Sequence, residues 1–263
     1  MVEGYVPVEG GRLWYERAGE GFPVVLIHPG LWDSRIWDGQ FDDFALQHDV
    51  IRYDLRGYGR SDLPYGPYSD LRDLVRLLEE LEVPRCALVG CATGAQLAID
   101  FALAFPEVAE AIVAVSPTVS GYAWEDRGLG VLMDEVARAV REGDLTAAIE
   151  LELAVWAPVS AEDPSTNGHV RTIAMDNAHV LERGDTLLET GPSALPNLGG
   201  LQAATLIVVG DRDLAETHAI ADLLTGAVPG AMKRVIADAD QLVHVGKAER
   251  FNRLVLDFLS FRM

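Results

Sequence analysis

The stretch LVGCATGAQL, residues 88–97, reads as a strand running through a tight glycine turn into a helix, and at the tip of the turn stands Ala92. An alanine has no atom with which to attack a carbonyl. Nucleophilic hydrolysis needs a hydroxyl or thiol, an imidazole to take its proton and an acid to orient that imidazole. What the chain offers elsewhere is groups able to move a proton. Asp213, in VVGDRD, is an acid whose pKa rises if it sits in an apolar pocket without an imidazolium neighbour, which suits general acid–base work. His244, in DQLVHVGKAERFN, lies about one helical turn beyond Gln241; a surface or helix-start histidine is its plainer reading. Cys91 is one residue off the tip and packs as a small hydrophobe.

Positioning such groups requires elements, and the apolar pattern predicts them. Residues 4–17 alternate around EGG, as a hairpin does. PVVLIHPG (23–30) and HDVIRYDL (48–55) are continuous apolar runs, the pattern of strands buried on both faces. A helix is expected over 35–47. SDLRDLVRLLEELEV (69–83) is amphipathic, with Ser69 as its N-cap. RCALVG (85–90), GAQLAIDFALAF (94–105) and EAIVAVSP (110–117) predict strand, helix and strand. Strand and helix alternating in this way imply a mostly parallel central sheet flanked by helices, the α/β class. The alternation stops over 118–198, which reads as helical, including VLMDEVARAVREG and LTAAIELELAVWA. It resumes with TLIVVGD (205–211), a helix to about 224, KRVIAD (233–238) and a last amphipathic helix, AERFNRLVLDFLSF. The expected organisation is a core of 1–117 and 199–263 with a helical cap inserted at 118–198, over the sheet edge where ligands of open α/β sheets bind.

Composition narrows the function. Acidic residues outnumber basic ones 41 to 21 among 263, a formal charge of −20. That sign repels phosphate backbones and anionic membranes, so neither nucleic acid nor membrane is the expected partner; a small molecule is. Two cysteines, Cys86 and Cys91, build no disulfide framework, and no spacing predicts zinc. No signal peptide and no membrane span is read, which makes the expected location cytoplasmic. No cofactor motif is found, and the oligomeric state is left open.

Five landmarks in order resemble the α/β-hydrolase superfamily over nearly the whole chain. VVLIHPGLWDS resembles its strand ending in His-Gly and the oxyanion loop, and YDLRGYGRSD (53–62) its D-x-R-G-x-G-x-S loop. G-C-A-T-G (90–94) stands where the family has the G-x-S-x-G elbow, VVGDRD where it places its acid, and DQLVHVGKAERFN where a histidine precedes a helix carrying Phe-Asn. The resemblance puts Ala92 at the nucleophile position, Asp213 at the acid position and Gln241 at the histidine position. Two of the three triad positions therefore depart from the pattern, and ordinary serine hydrolysis is not expected. A Gln241 amide donating to Asp213 would pair a carboxylate otherwise buried alone. The resemblance also implies an oxyanion hole from the Thr93 N–H and from Gly30 or Leu31; Pro29 has no N–H to give. His28 matches the family's loop histidine, whose usual role is structural, and is counted with Gly30, Leu31 and Thr93 among the expected oxyanion and substrate-binding residues. Asp54, Arg56 and Ser61 read as ties between loops. Trp32 is expected to face a ligand, and Trp124, Trp156, His169, Asn177 and His179 to line the pocket from the cap.

Three readings follow. The first is a cofactor-independent, non-hydrolytic enzyme of lyase, isomerase or cyclase type, acting on a small, mostly apolar carbonyl compound through a retained oxyanion hole. The second is an ester or lactone hydrolase, either a Ser→Ala form or one with water activated by His244. The third is a ligand-binding protein without chemistry.

Overall fold

The structure is a computed structural model that describes residues 1–125, 127–183 and 187–260. Residues 126 and 184–186 of the expected 118–198 insertion, and Phe261 of the expected last helix, lie outside the described residues. Eight strands form one sheet: β1 (Val2–Val8), β2 (Gly11–Ala18), β3 (Pro23–Ile27), β4 (Asp49–Tyr53), β5 (Cys86–Cys91), β6 (Ala109–Val115), β7 (Ala204–Gly210) and β8 (Met232–Ile236). Their order across the sheet is β1-β2-β4-β3-β5-β6-β7-β8. The β1–β2 hairpin joins β4 antiparallel, and from β4 to β8 every neighbour is parallel. This is the mostly parallel, helix-flanked sheet that the pattern predicts.

The helices are α1 (Asp38–Phe44), α2 (Asp70–Glu80), α3 (Thr93–Ala104), α4 (Arg127–Arg141), α5 (Leu145–Trp156), α6 (Pro158–Glu162), α7 (Asn167–Asp176), α8 (His179–Arg183), α9 (Ala215–Ala227), α10 (Val243–Gly246) and α11 (Ala248–Ser260). Side chains of successive strand residues point to opposite faces, so each buried strand serves two cores. Val25, Ile27, Leu88 and Ile112 pack with Leu74, Leu77, Phe101 and Ile220 of α2, α3 and α9. Val24, Leu26, Val89 and Val113 pack with Phe41, Phe251 and Val255 of α1 and α11. This explains why the central strands carry no polar face. Ser69 caps α2, its hydroxyl accepting the Arg72 N–H at 3.4 Å, as its place before the helix predicts. The expected helix over 35–47 divides into a 3-10 turn (Ser34–Trp37), capped by Asp33, and α1.

Helices α4 to α8 come between β6 and β7, and polar side chains tie them to the loops at the sheet's carboxyl edge. Asn177, 1% exposed, takes the Gly59 N–H on its Oδ1 at 2.8 Å and donates from Nδ2 to Asp33 at 2.8 Å. His179 donates to the Gly57 carbonyl at 2.9 Å, and His169 to that of Arg35 at 3.0 Å. Asp240, on the loop after β8, accepts the Val159 and Ser160 N–H groups and the Ser160 hydroxyl at 2.7–2.9 Å. Asn177, His169 and His179 thus use their polar atoms to bind the helical segment to the sheet-edge loops, which corrects the expectation that they line a pocket.

Candidate functional site

Parallel strands bring their carboxyl ends to one edge, and register brings chosen residues together there. Ile27 pairs with Gly90, Cys91 with Val115, and Val115 with Val208. The residues that follow, His28, Ala92, Ser116 and Asp211–Asp213, therefore stand along one rim. Ala92 forms the turn between β5 and α3 at φ 48, ψ −111, backbone that a residue with a Cβ adopts only under strain. The two glycines explain why α3 sits so close. A Cβ on Gly94 would lie 2.4 Å from the Ile27 carbonyl oxygen, and one on Gly90 2.2 Å from that of Gly94. Any side chain at either position would drive the helix off the sheet.

That close approach sets the next contact. The Gly30 N–H of the loop after β3 donates to the Thr93 hydroxyl at 2.9 Å, across 63 residues of sequence. The sequence leaves Gly30 as a free donor; the structure places the Thr93 side chain on it. Leu31 holds this loop in a left-handed turn at φ 72 and is itself buried. His28 is wholly buried: its Nδ1–H donates to the Pro29 carbonyl at 2.8 Å, and its Nε2 accepts the Leu55 N–H at 2.9 Å. Burial lowers its pKa from the ordinary value, opposed by Asp54. Both ring nitrogens serve the loop, so His28 is no ligand contact. Trp32 also turns inward, 1% exposed, with its indole N–H on the Val170 carbonyl at 3.0 Å, which corrects the expectation that it faces a ligand.

Asp213 follows β7. Its Oδ1 accepts the Leu214 N–H at 2.8 Å, and its Oδ2 has no hydrogen-bond partner. Burial raises its carboxyl above the usual carboxylate range, against the Leu214 N–H and the nearby Ser116 and Thr217 hydroxyls. The expected hydrogen bond from Gln241 to Asp213 is not formed; the bare Oδ2 overturns that pairing. Gln241 instead meets this rim through its backbone, its carbonyl 3.6 Å from the Cys91 thiol. Burial pushes that thiol well up, beside Asp213 and Asp240, so Cys91 stays protonated. His244 is fully buried, stacked on Trp37 at 4.0 Å between ring centroids and packed against Phe251. Neither of its nitrogens has a partner, and burial lowers its pKa to about 3. It stands in the core, not at the tip of the turn.

Beside the turn opens a cleft of about 1330 Å³, walled by α3, the 118–124 loop and the 188–200 loop. Of the nominated residues it takes in Thr93 and Trp124. Trp156 stands edge-on behind Trp124 at 6.0 Å and donates to Glu152 at 2.6 Å. Gln96 and Asp100 continue the wall from Thr93 along one face of α3. Asp100 accepts the Ser120 hydroxyl at 2.6 Å, and burial raises its carboxyl.

A profile of the alpha/beta hydrolase family matches residues 24–254. The chain belongs to that family. Among solved structures it is similar to Est816, described as an N-acyl homoserine lactone degrading enzyme, at 30% identity and a TM-score of 0.79, covering 97% of this chain and 100% of that one. The enol-lactonase from Burkholderia xenovorans LB400 shares the fold at 24% identity and a TM-score of 0.79, covering 98% of this chain and 100% of that one. A putative 2-succinyl-6-hydroxy-2,4-cyclohexadiene-1-carboxylate synthase of Bacillus subtilis is 24% identical over 90% of both chains. Other relatives match locally: an uncharacterized protein of Mycobacterium tuberculosis is 36% identical over 41% of this chain and 33% of its own length. The chain therefore spans about a third of the length of the first curated relatives it matches.

Within this alpha/beta hydrolase, Thr93 was expected at the site only for its N–H, and Gln96 and Asp100 were not expected at all. With Thr93 they recur at helical spacing on one side of α3, a polar stripe in an otherwise apolar helix, and that stripe was the available signal. Ser120 and Tyr122 join them from a loop whose course no local pattern predicts. Among the described residues no helix is long and apolar enough to cross a membrane.

Proposed function

We propose that the chain is a cofactor-independent, non-hydrolytic enzyme that moves a proton on a small, mostly apolar, carbonyl-containing molecule, as a lyase, isomerase or cyclase does. Ala92 stands in this reading at the nucleophile position and Gln241 at the histidine position of the family. The observation that carries it is the backbone of Ala92. The turn keeps a strained φ of 48 around a side chain with no nucleophile, held by two glycines that admit no substituent. Strain of this kind persists where surrounding structure enforces a geometry for use. The geometry here aims the N-terminus of α3, with its positive dipole end, at the loop after β3, where developing negative charge on a carbonyl oxygen is stabilised. Asp213, raised in pKa and with one bare oxygen, is the group assigned to carry the proton. The helices between β6 and β7 act as the cap.

Exchange of α-hydrogens for deuterium in acetophenone and cyclohexanone, followed by NMR in D2O, tests this directly. Catalysed exchange that disappears in Asp213→Asn, with no hydrolysis of p-nitrophenyl acetate, is the expected result. Ester hydrolysis, or labelling of any serine by a fluorophosphonate, overturns it. The similarity to Est816 favours a second reading, lactone hydrolysis, and release of N-hexanoyl homoserine from its lactone is the result that would establish it.

A further inference from the structure

Thr93 is unusual in being turned outward where its neighbours Ala92, Gly94 and Ala95 are buried. Its hydroxyl oxygen is already engaged as an acceptor, taking the Gly30 N–H at 2.9 Å. A hydroxyl that accepts in this way keeps its own proton for a second partner. Among the described residues that proton has no acceptor within the protein, and the space it faces is the cleft, which Thr93 lines and Ala92 does not. The bare Gly94 allows this placement, because only without a side chain there can α3 come close enough to the Ile27 and His28 carbonyls to set Thr93 beside Gly30.

We propose that the Thr93 hydroxyl fills the place beside the Gly30 N–H where an oxyanion would sit and offers its own O–H to the carbonyl of the ligand, so that the ligand is held along the flank of α3 instead of at the tip of the turn. The inference rests on the reading of the loop after β3 as the carbonyl-binding loop. A carbonyl bound in this way sits one O–H···O length, roughly 2.7 Å, beyond the position a direct Gly30 contact would give. At that remove a serine in place of Ala92 meets no carbonyl carbon. The Gly30 N–H polarises the hydroxyl that it donates to, which strengthens the outward hydrogen bond. Gln96 and Asp100, further along the same wall, then meet the remainder of the ligand. Hydrolysis is thus blocked three times over, by Ala92, by Gln241 and by Thr93.

Three variants of the full chain test this with p-nitrophenyl acetate as the probe: Ala92→Ser/Gln241→His, the same with Thr93→Ala, and the same with Thr93→Ser. Exchange of the Gly30 amide hydrogen is followed by NMR in each. The pair of substitutions alone is expected to hydrolyse the ester barely above background. Adding Thr93→Ala should raise kcat/KM at least tenfold and speed Gly30 exchange at least tenfold, while Thr93→Ser should do neither. Unchanged Gly30 exchange in the Thr93→Ala variant overturns the proposal, as does full hydrolysis with Thr93 in place. If Gly30 exchange quickens yet no variant hydrolyses the ester, the loop is not a carbonyl site; the functional reading fails with it, and the proposal falls for that separate reason.

Discussion

Ala92 pays for its place with strain, and the sign of one substitution reports it. A non-glycine residue at φ 48, ψ −111 costs of order 1–3 kcal/mol. Glycine adopts that region freely but costs about 0.5–1 kcal/mol in chain entropy. Ala92→Gly is therefore expected to stabilise the fold by about 1 kcal/mol, seen as a higher urea midpoint; a loss of stability would mean that the turn is unstrained. His244 gives a second residue-scale expectation. Its pKa falls from 6.5 to about 3 on burial, so below pH 6.5 the unfolded chain takes up a proton that the folded one refuses. Stability is full above pH 6.5 and is lost as pH falls toward 3. His244→Leu removes that slope, and at pH 4.5 its stability relative to pH 7 should exceed the parent's by about 2–3 kcal/mol. Equal pH profiles in urea unfolding would contradict the burial. The sequence placed Ala92 at its tip and Asp213 after its strand through short motifs. It misdirected Trp32 and His28, because the residues after a buried strand can turn either outward or into the core, and only packing decides which.

At the scale of elements, the fit of α3 against β3 is what shapes the site. A methyl on Gly94 meets backbone oxygens, which cannot swing aside as a flexible side chain would. Gly94→Ala should cost about 3 kcal/mol, lower the thermal midpoint and disturb the Gly30 amide resonance; a neutral effect would show that the helix can slide. The seam between the helical segment and the sheet-edge loops depends on Asp240, whose carboxylate gathers three donors from Val159 and Ser160 and a fourth from Leu242. Asp240→Ala strands those buried groups and is expected to raise deuterium uptake in α6 and α7 well before the sheet responds. Uptake spread evenly over the chain would argue that the seam is not separately breakable. Strands and amphipathic helices were legible because period 2 and period 3.6 are written in the apolar residues. The anchors were not, since Asn177, His179 and Asp240 look in sequence like any polar residue on a helix or turn. Their partners, Gly59, Gly57 and Ser160, are 80 or more residues away.

The whole molecule carries 41 acidic and 21 basic residues, and its compact state feels that imbalance. Raising NaCl from 20 to 200 mM shortens the screening length to below about 10 Å and weakens the self-repulsion. The thermal midpoint should rise by about 2–4 °C, the equivalent of roughly 1 kcal/mol. A fall would mean that exposed ion pairs such as Arg212–Asp238, which salt screens, outweigh the net charge. The order of strands also carries a consequence for synthesis. β6 pairs with β5 on one side, but its other neighbour, β7, begins about 90 residues later, beyond helices α4 to α8. At roughly 5–20 residues per second, an emerging chain holds β6 as an open edge, apolar from Ala111 to Val115, for on the order of 5–20 seconds. An open apolar edge invites strands from neighbouring chains. The long helical segment between β6 and β7 thus doubles as a delay, and the nascent chain is at its most vulnerable while that segment is still being made.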